Sequence, residues 1–147
     1  MSANEEDHTI TDPKEAAWAV RQREVVESYL QEQGCEHAGV SLEPRWFLSP
    51  YLAVWAVRSK ADPDFIGWWA ISGDVPTDYL TATDNIQCVA DVLSAFSYQW
   101  SEAAEKIRNG EYAGFGSPQN SDELEPLLIA RAGLLQKFAA QLREGGL

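Results

Sequence analysis

A chain of 147 residues, 45% hydrophobic and 23% charged, has the composition of a globular protein and the length for one hydrophobic core, which excludes a fibrous or wholly disordered chain. Its 23 acidic and 11 basic residues give a formal charge of −12, which disfavours duplex nucleic acid and anionic membranes and would steer a basic protein toward it. No apolar run approaches the roughly 20 residues of a membrane span, no signal-peptide pattern opens the chain, and Cys35 and Cys88 sit in unrelated contexts, so both thiols are expected reduced in a cytoplasmic setting.

Residues 1–11 are polar and acidic with nothing to pack, and are expected to form a mobile tail before a single α+β domain over 12–147. Asp12 is the natural N-cap of a first helix, with Pro13 at its first position, where a missing N–H costs nothing. Trp18, Val25, Val26, Tyr29 and Leu30 recur at helical spacing, and Gly34 supplies a left-handed stop.

From Val40 to Ser72 the chain changes to short aromatic and β-branched runs divided by Pro44, Ser49-Pro50 and Asp62-Pro63-Asp64, the pattern of an antiparallel meander. Tyr51 to Val57 and Phe65 to Ile71 are apolar on both faces and read as paired central strands. Arg45 to Leu48 reads as an edge strand, because Pro44 cannot donate to a ladder.

A loop from Gly73 to Asp78 then leads to a long helix expected from near Asp84 to Asn109, with Gly110 as its stop. Ile86, Val89, Leu93, Phe96, Trp100, Ala103 and Ile107 form a heptad-like stripe suited to lying along another helix or a sheet. After the loop 114–120, a last helix begins between Ser121 and Pro126, with Leu124, Leu128, Leu135, Phe138 and Leu142 inward. The expected architecture is a three-stranded antiparallel meander packed with three amphipathic helices, in the order α-β-β-β-α-α.

The segment most able to carry chemistry is Gly73, Asp74, Thr77 and Asp78, a strand end with two carboxylates and a hydroxyl. As a site it would be a small-molecule or metal-dependent binding loop, walled by Tyr51, Trp55 or Trp69. The competing reading is turn chemistry: Gly73 takes a positive φ, Pro76 fixes the bend, and the aspartates fold onto nearby backbone N–H groups. The spacing lacks the ligand ladder of a calcium loop, and Cys35, His37 and Cys88 lack the paired spacing of a zinc site. No metal, cofactor or catalytic residue is therefore assigned.

Six tryptophans, four of them in the expected strands, fill a core or supply contact area at an interface. These features favour a non-enzymatic protein-interaction module, such as an inhibitor, an adaptor or an immunity-like protein, with a basic partner. A homodimer through the stripe from Ile86 to Ile107 is a further expectation.

The leading amphipathic helix, the strand Pro50-Tyr51-Leu52-Ala53-Val54-Trp55, the segment Ile71-Ser72-Gly73-Asp74-Val75-Pro76-Thr77-Asp78 and the stretch Ala130-Arg131-Ala132 together resemble an uncharacterised bacterial family of short acidic proteins, domain-of-unknown-function family 4826. The likeness runs from about Trp18 to Leu142. It implies a compact intracellular domain and transfers no activity to any residue.

Overall fold

The computed structural model describes residues 10–111 and 121–145. The expected tail at 1–11 and the loop 114–120 fall largely or wholly outside them. Contacts divide the chain into two compact units, Met1–Thr83 and Asp84–Leu147.

The first unit opens with α1 (Pro13–Glu32), whose N-cap Asp12 accepts the N–H of Lys14 at 2.8 Å. Its end is a left-handed cap: Gly34 has φ +74 and donates to the Gln31 carbonyl at 3.1 Å, and Cys35 donates to Leu30 at 3.0 Å. Two carbonyls that the helix leaves open are thereby satisfied.

The sheet is antiparallel throughout and has five strands, β1 (His37–Val40), β2 (Trp46–Leu48), β3 (Leu52–Ser59), β4 (Ile66–Gly73) and β5 (Asp78–Thr81). This corrects the three-stranded meander expected from sequence. β4 pairs β3 on one side and β5 on the other, while β2 and β1 share the remaining edge of β3, opposite its residues 52–54 and 57–59. Both missed strands are four residues long at the margins of the sheet. β1 carries a bulge between His37 and Gly39, and β5 begins with an aspartate that reads as a turn residue. Pairing to β3 and β4, more than intrinsic propensity, makes them strands.

α1 lays Trp18, Ala19, Val26 and Leu30 onto Ala53, Trp55, Val57 and Ala70 of the sheet and Val40 of β1. Trp55 buries its whole side chain and donates its indole N–H to the Ser72 hydroxyl at 3.0 Å. Arg23 reaches from α1 to the carbonyls of Val40 and Ser41, at 2.8 and 3.0 Å, fixing the chain where it leaves β1. Val25, expected inward, is 43% exposed. The helical angles explain it, because the five apolar positions expected inward span about 140° of the circumference at 100° per residue, with Val25 at one margin.

The second unit is an antiparallel pair, α2 (Val89–Arg108) and α3 (Ser121–Glu144). Leu93, Phe96, Trp100 and Ala103 are buried, as are Leu128 and Leu135, and the Ser97 hydroxyl donates to the Ala132 carbonyl at 2.8 Å. Arg143 bonds Asp91 at 3.0 Å, and Arg108 bonds Glu125 at 2.8 Å, joining opposite ends of the hairpin. The central residues of the stripe considered for a homodimer are thus buried within the chain. α2 begins at Val89, later than the expected start near Asp84. Its N-cap Cys88 makes no side-chain cap, and the Asp91 carboxylate accepts the Gln87 N–H at 3.0 Å from within the first turn.

Candidate functional site

The segment from Gly73 to Asp78 is the turn of the β4–β5 hairpin. Gly73 has φ +125, and a β-carbon there would strike the Tyr51 carbonyl oxygen and lie 2.9 Å from the Leu52 Cα. Asp74 is exposed, and its N–H donates to the same Tyr51 carbonyl at 2.8 Å. Asp74 and Tyr51 thus share one rim of the sheet.

Asp78 lies in different surroundings. It is 5% exposed, stands opposite Ile71, and accepts the Tyr79 N–H at 2.8 Å and the Tyr29 hydroxyl at 3.3 Å. The two aspartates therefore belong to different environments, one a solvated tip and the other a buried strand end beneath α1. Of the suggested aromatic wall, Tyr51 is 57% exposed, Trp55 is fully buried, and Trp69 is 6% exposed beneath the Arg45 guanidinium, 5.3 Å from its ring. Among the described residues, no group of three or more His, Cys, Asp and Glu could hold a metal ion.

A different concavity lies in this unit, a groove of about 580 Å³ between α1 and the hairpin turn, lined by Arg21, Glu24, Val25, Ser28, Tyr29, Glu32 and Thr77. Positions 21, 25, 28 and 32 alternate by four and three, so they lie along one side of α1, next to the side that meets the sheet. Val25 and the Tyr29 ring give the lining its apolar part, Glu24, Glu32 and Arg21 its charged part, and Ser28 and Thr77 its hydroxyls.

The Tyr29 wall is held from below. Its ring meets Tyr79 edge-on at 5.9 Å, and its hydroxyl donates to Asp78. Burial first, and then the Asp78 carboxylate, keep that hydroxyl protonated far above the usual tyrosine range. Tyr79 is pushed up by burial and by neighbouring Cys35 and Asp78, and burial pushes the Cys35 thiol up as well. A thiol shifted in that direction is a poorer nucleophile.

Of the four loop residues singled out in the sequence, Thr77 lines the groove and Asp78 supports its wall, whereas Gly73 and Asp74 sit at the tip beside Tyr51. Sequence reasoning missed Glu24, Ser28, Tyr29 and Glu32 as groove residues. The available signal was the excess width of the apolar stripe on α1, with Val25 and Tyr29 displaced from the line of Ala19, Val26 and Leu30.

The family model described as Domain of unknown function (DUF4826) matches residues 12–143. The chain belongs to that family. No curated protein and no solved structure matches it. The matched span takes in α1, the whole sheet and nearly all of the helical hairpin, so the groove lies within the family domain. No helix among the described residues is long and apolar enough to cross a membrane.

Proposed function

We propose that the domain is a protein-interaction module that receives a basic segment of a partner in the groove between α1 and the β4–β5 turn. The supporting observation is that the groove's lining combines apolar surface, Val25 and the Tyr29 ring, with two glutamates, Glu24 and Glu32. That combination suits a lysine or arginine side chain, whose aliphatic stem packs on apolar surface while its charged head meets a carboxylate. The formal charge of −12 adds long-range attraction that speeds encounter with a cationic partner and weakens as salt rises.

Arg21 at one end of the groove opposes this attraction. Calorimetric titration of a short lysine-rich peptide tests the reading with the charges in place and altered. Glu24→Gln with Glu32→Gln should weaken binding and flatten its salt dependence, and Arg21→Glu should strengthen it. Affinity unchanged in both variants would reject the groove as the docking site.

A further inference from the structure

The apolar stripe of α2 is largely buried within the chain, but α3 leaves a second face open. Its buried residues are Leu128, Ala132, Leu135 and Ala139. At 100° per residue, Pro126, Ala130, Gly133, Lys137 and Ala140 fall within about 80° of arc on roughly the opposite side, and all five are exposed. Leu127 and Leu134 flank this strip on one side and Ile129 on the other, at 37%, 36% and 47% exposure. The outer face of α3 is thus apolar over about 21 Å of helix at 1.5 Å per residue, with Lys137 the charge within the strip.

Two observations bear on what covers it. The chain carries a formal charge of −12, yet residues 126–143 include no aspartate or glutamate. Two copies of such a chain meet with little repulsion where carboxylates are missing. The second observation is Gly133, the midpoint of the strip, with Pro126 and Ala140 equally far on either side. Glycine within a helix is less stable than alanine. Among the described residues nothing lies within 4 Å of a β-carbon added there, so no contact inside the chain requires it. A glycine does serve where another backbone comes close.

We infer that the outer face of α3 binds a second copy of this chain, the two α3 helices packing antiparallel about a two-fold axis at Gly133. In such an isologous contact Gly133 meets the partner's Gly133, and Pro126 meets the partner's Ala140. Small residues along the strip let the helix axes approach, and the larger side chains of Leu127, Ile129 and Leu134 close over the flanks. Antiparallel packing sets the positive end of one helix dipole beside the negative end of the other, whereas a parallel pair sets like ends together. Lys137 is compatible with the contact, because a lysine stem covers apolar surface while its ammonium stays in water. One helix face is a small interface, so the dimer is weak, with a Kd on the order of 100 μM.

Sedimentation velocity of the full chain, over concentrations spanning that Kd and at low and high salt, tests the inference. The dimer fraction should rise with concentration and, at fixed concentration, with salt, because screening removes the repulsion between two acidic chains. That salt dependence is opposite in sign to the one expected for cation docking on α1. Ala130→Glu sits at an exposed position and keeps a good helix former; it should weaken the dimer by roughly tenfold or more through like charges at the contact, with an unchanged circular dichroism spectrum. Gly133→Ala should raise the Tm of the dilute chain and still weaken the dimer by roughly fivefold or more, because the added methyl overfills the closest approach. A monomer at every concentration and salt overturns the inference and leaves the face to a different partner. A dimer indifferent to Ala130→Glu overturns its assignment to α3, and one weakened by Ala130→Glu but not by Gly133→Ala overturns the axis at Gly133.

Discussion

Gly73→Ala tests the geometry that holds the β4–β5 turn against β3. At φ +125 an L side chain costs about 1–3 kcal/mol in backbone strain. The added β-carbon meets backbone, with the Tyr51 carbonyl carbon at 2.8 Å, and backbone within a sheet has little freedom to withdraw. Relieving that clash means moving the Tyr51 carbonyl, which accepts the Asp74 N–H, a hydrogen bond worth about 0.5–1.5 kcal/mol. The sum is about 2–4 kcal/mol, or a fall in Tm of roughly 6–12 °C for a chain of this size. Gly110→Ala is the matched control: φ is +79 and nothing lies within 4 Å of the added carbon, so only the left-handed penalty of about 1 kcal/mol applies. Urea unfolding followed by circular dichroism gives both values. Equal losses in the two variants, or a Gly73→Ala protein as stable as wild type, would refute the close-contact argument.

Three further outcomes follow from the packing. Ser72→Ala leaves the buried Trp55 indole N–H without its acceptor and should cost about 1–3 kcal/mol in urea unfolding. Asp91→Ala removes the acceptor of the Gln87 N–H and the partner of Arg143, and should cost about 1 kcal/mol by the same measurement, as for loss of a helix cap. Tyr29 ionises at higher pH in the folded chain than in the unfolded one, through burial and then Asp78. Its contribution is therefore complete below about pH 10 and is lost as pH rises past that unfolded value toward the folded one. Thermal scans across alkaline pH should show that loss, and Asp78→Asn should reduce it. A decline in the variant as steep as in wild type would remove Asp78 as a cause.

Much of this fold could be read from the residues. Asp12, Pro13 and Gly34 bounded α1 because caps act locally, and the runs around Trp55 and Trp69 identified the central strands because both faces of each are apolar. The stripe through Leu93, Phe96 and Trp100 identified α2 for the same kind of reason, a strict period. β1 and β5 were hidden because a four-residue edge strand takes its conformation from its neighbour. Asp78 illustrates the limit well: an aspartate before Tyr79 reads as a turn residue, yet it is buried because Tyr29, 49 positions earlier, brings a hydroxyl to it. The groove was obscured similarly, since Val25 and Tyr29 share the period of the core stripe and only the placement of the hairpin turn decides which margin of α1 stays open.

The docking claim itself is tested most directly by mapping backbone amide shifts while a short lysine-rich peptide is added to the isotopically labelled chain. The account predicts that the largest changes fall on residues 21–32 of α1 and on Thr77, and that they diminish in the protein carrying Glu24→Gln and Glu32→Gln. Saturable changes centred elsewhere, with α1 and Thr77 unmoved, would contradict it.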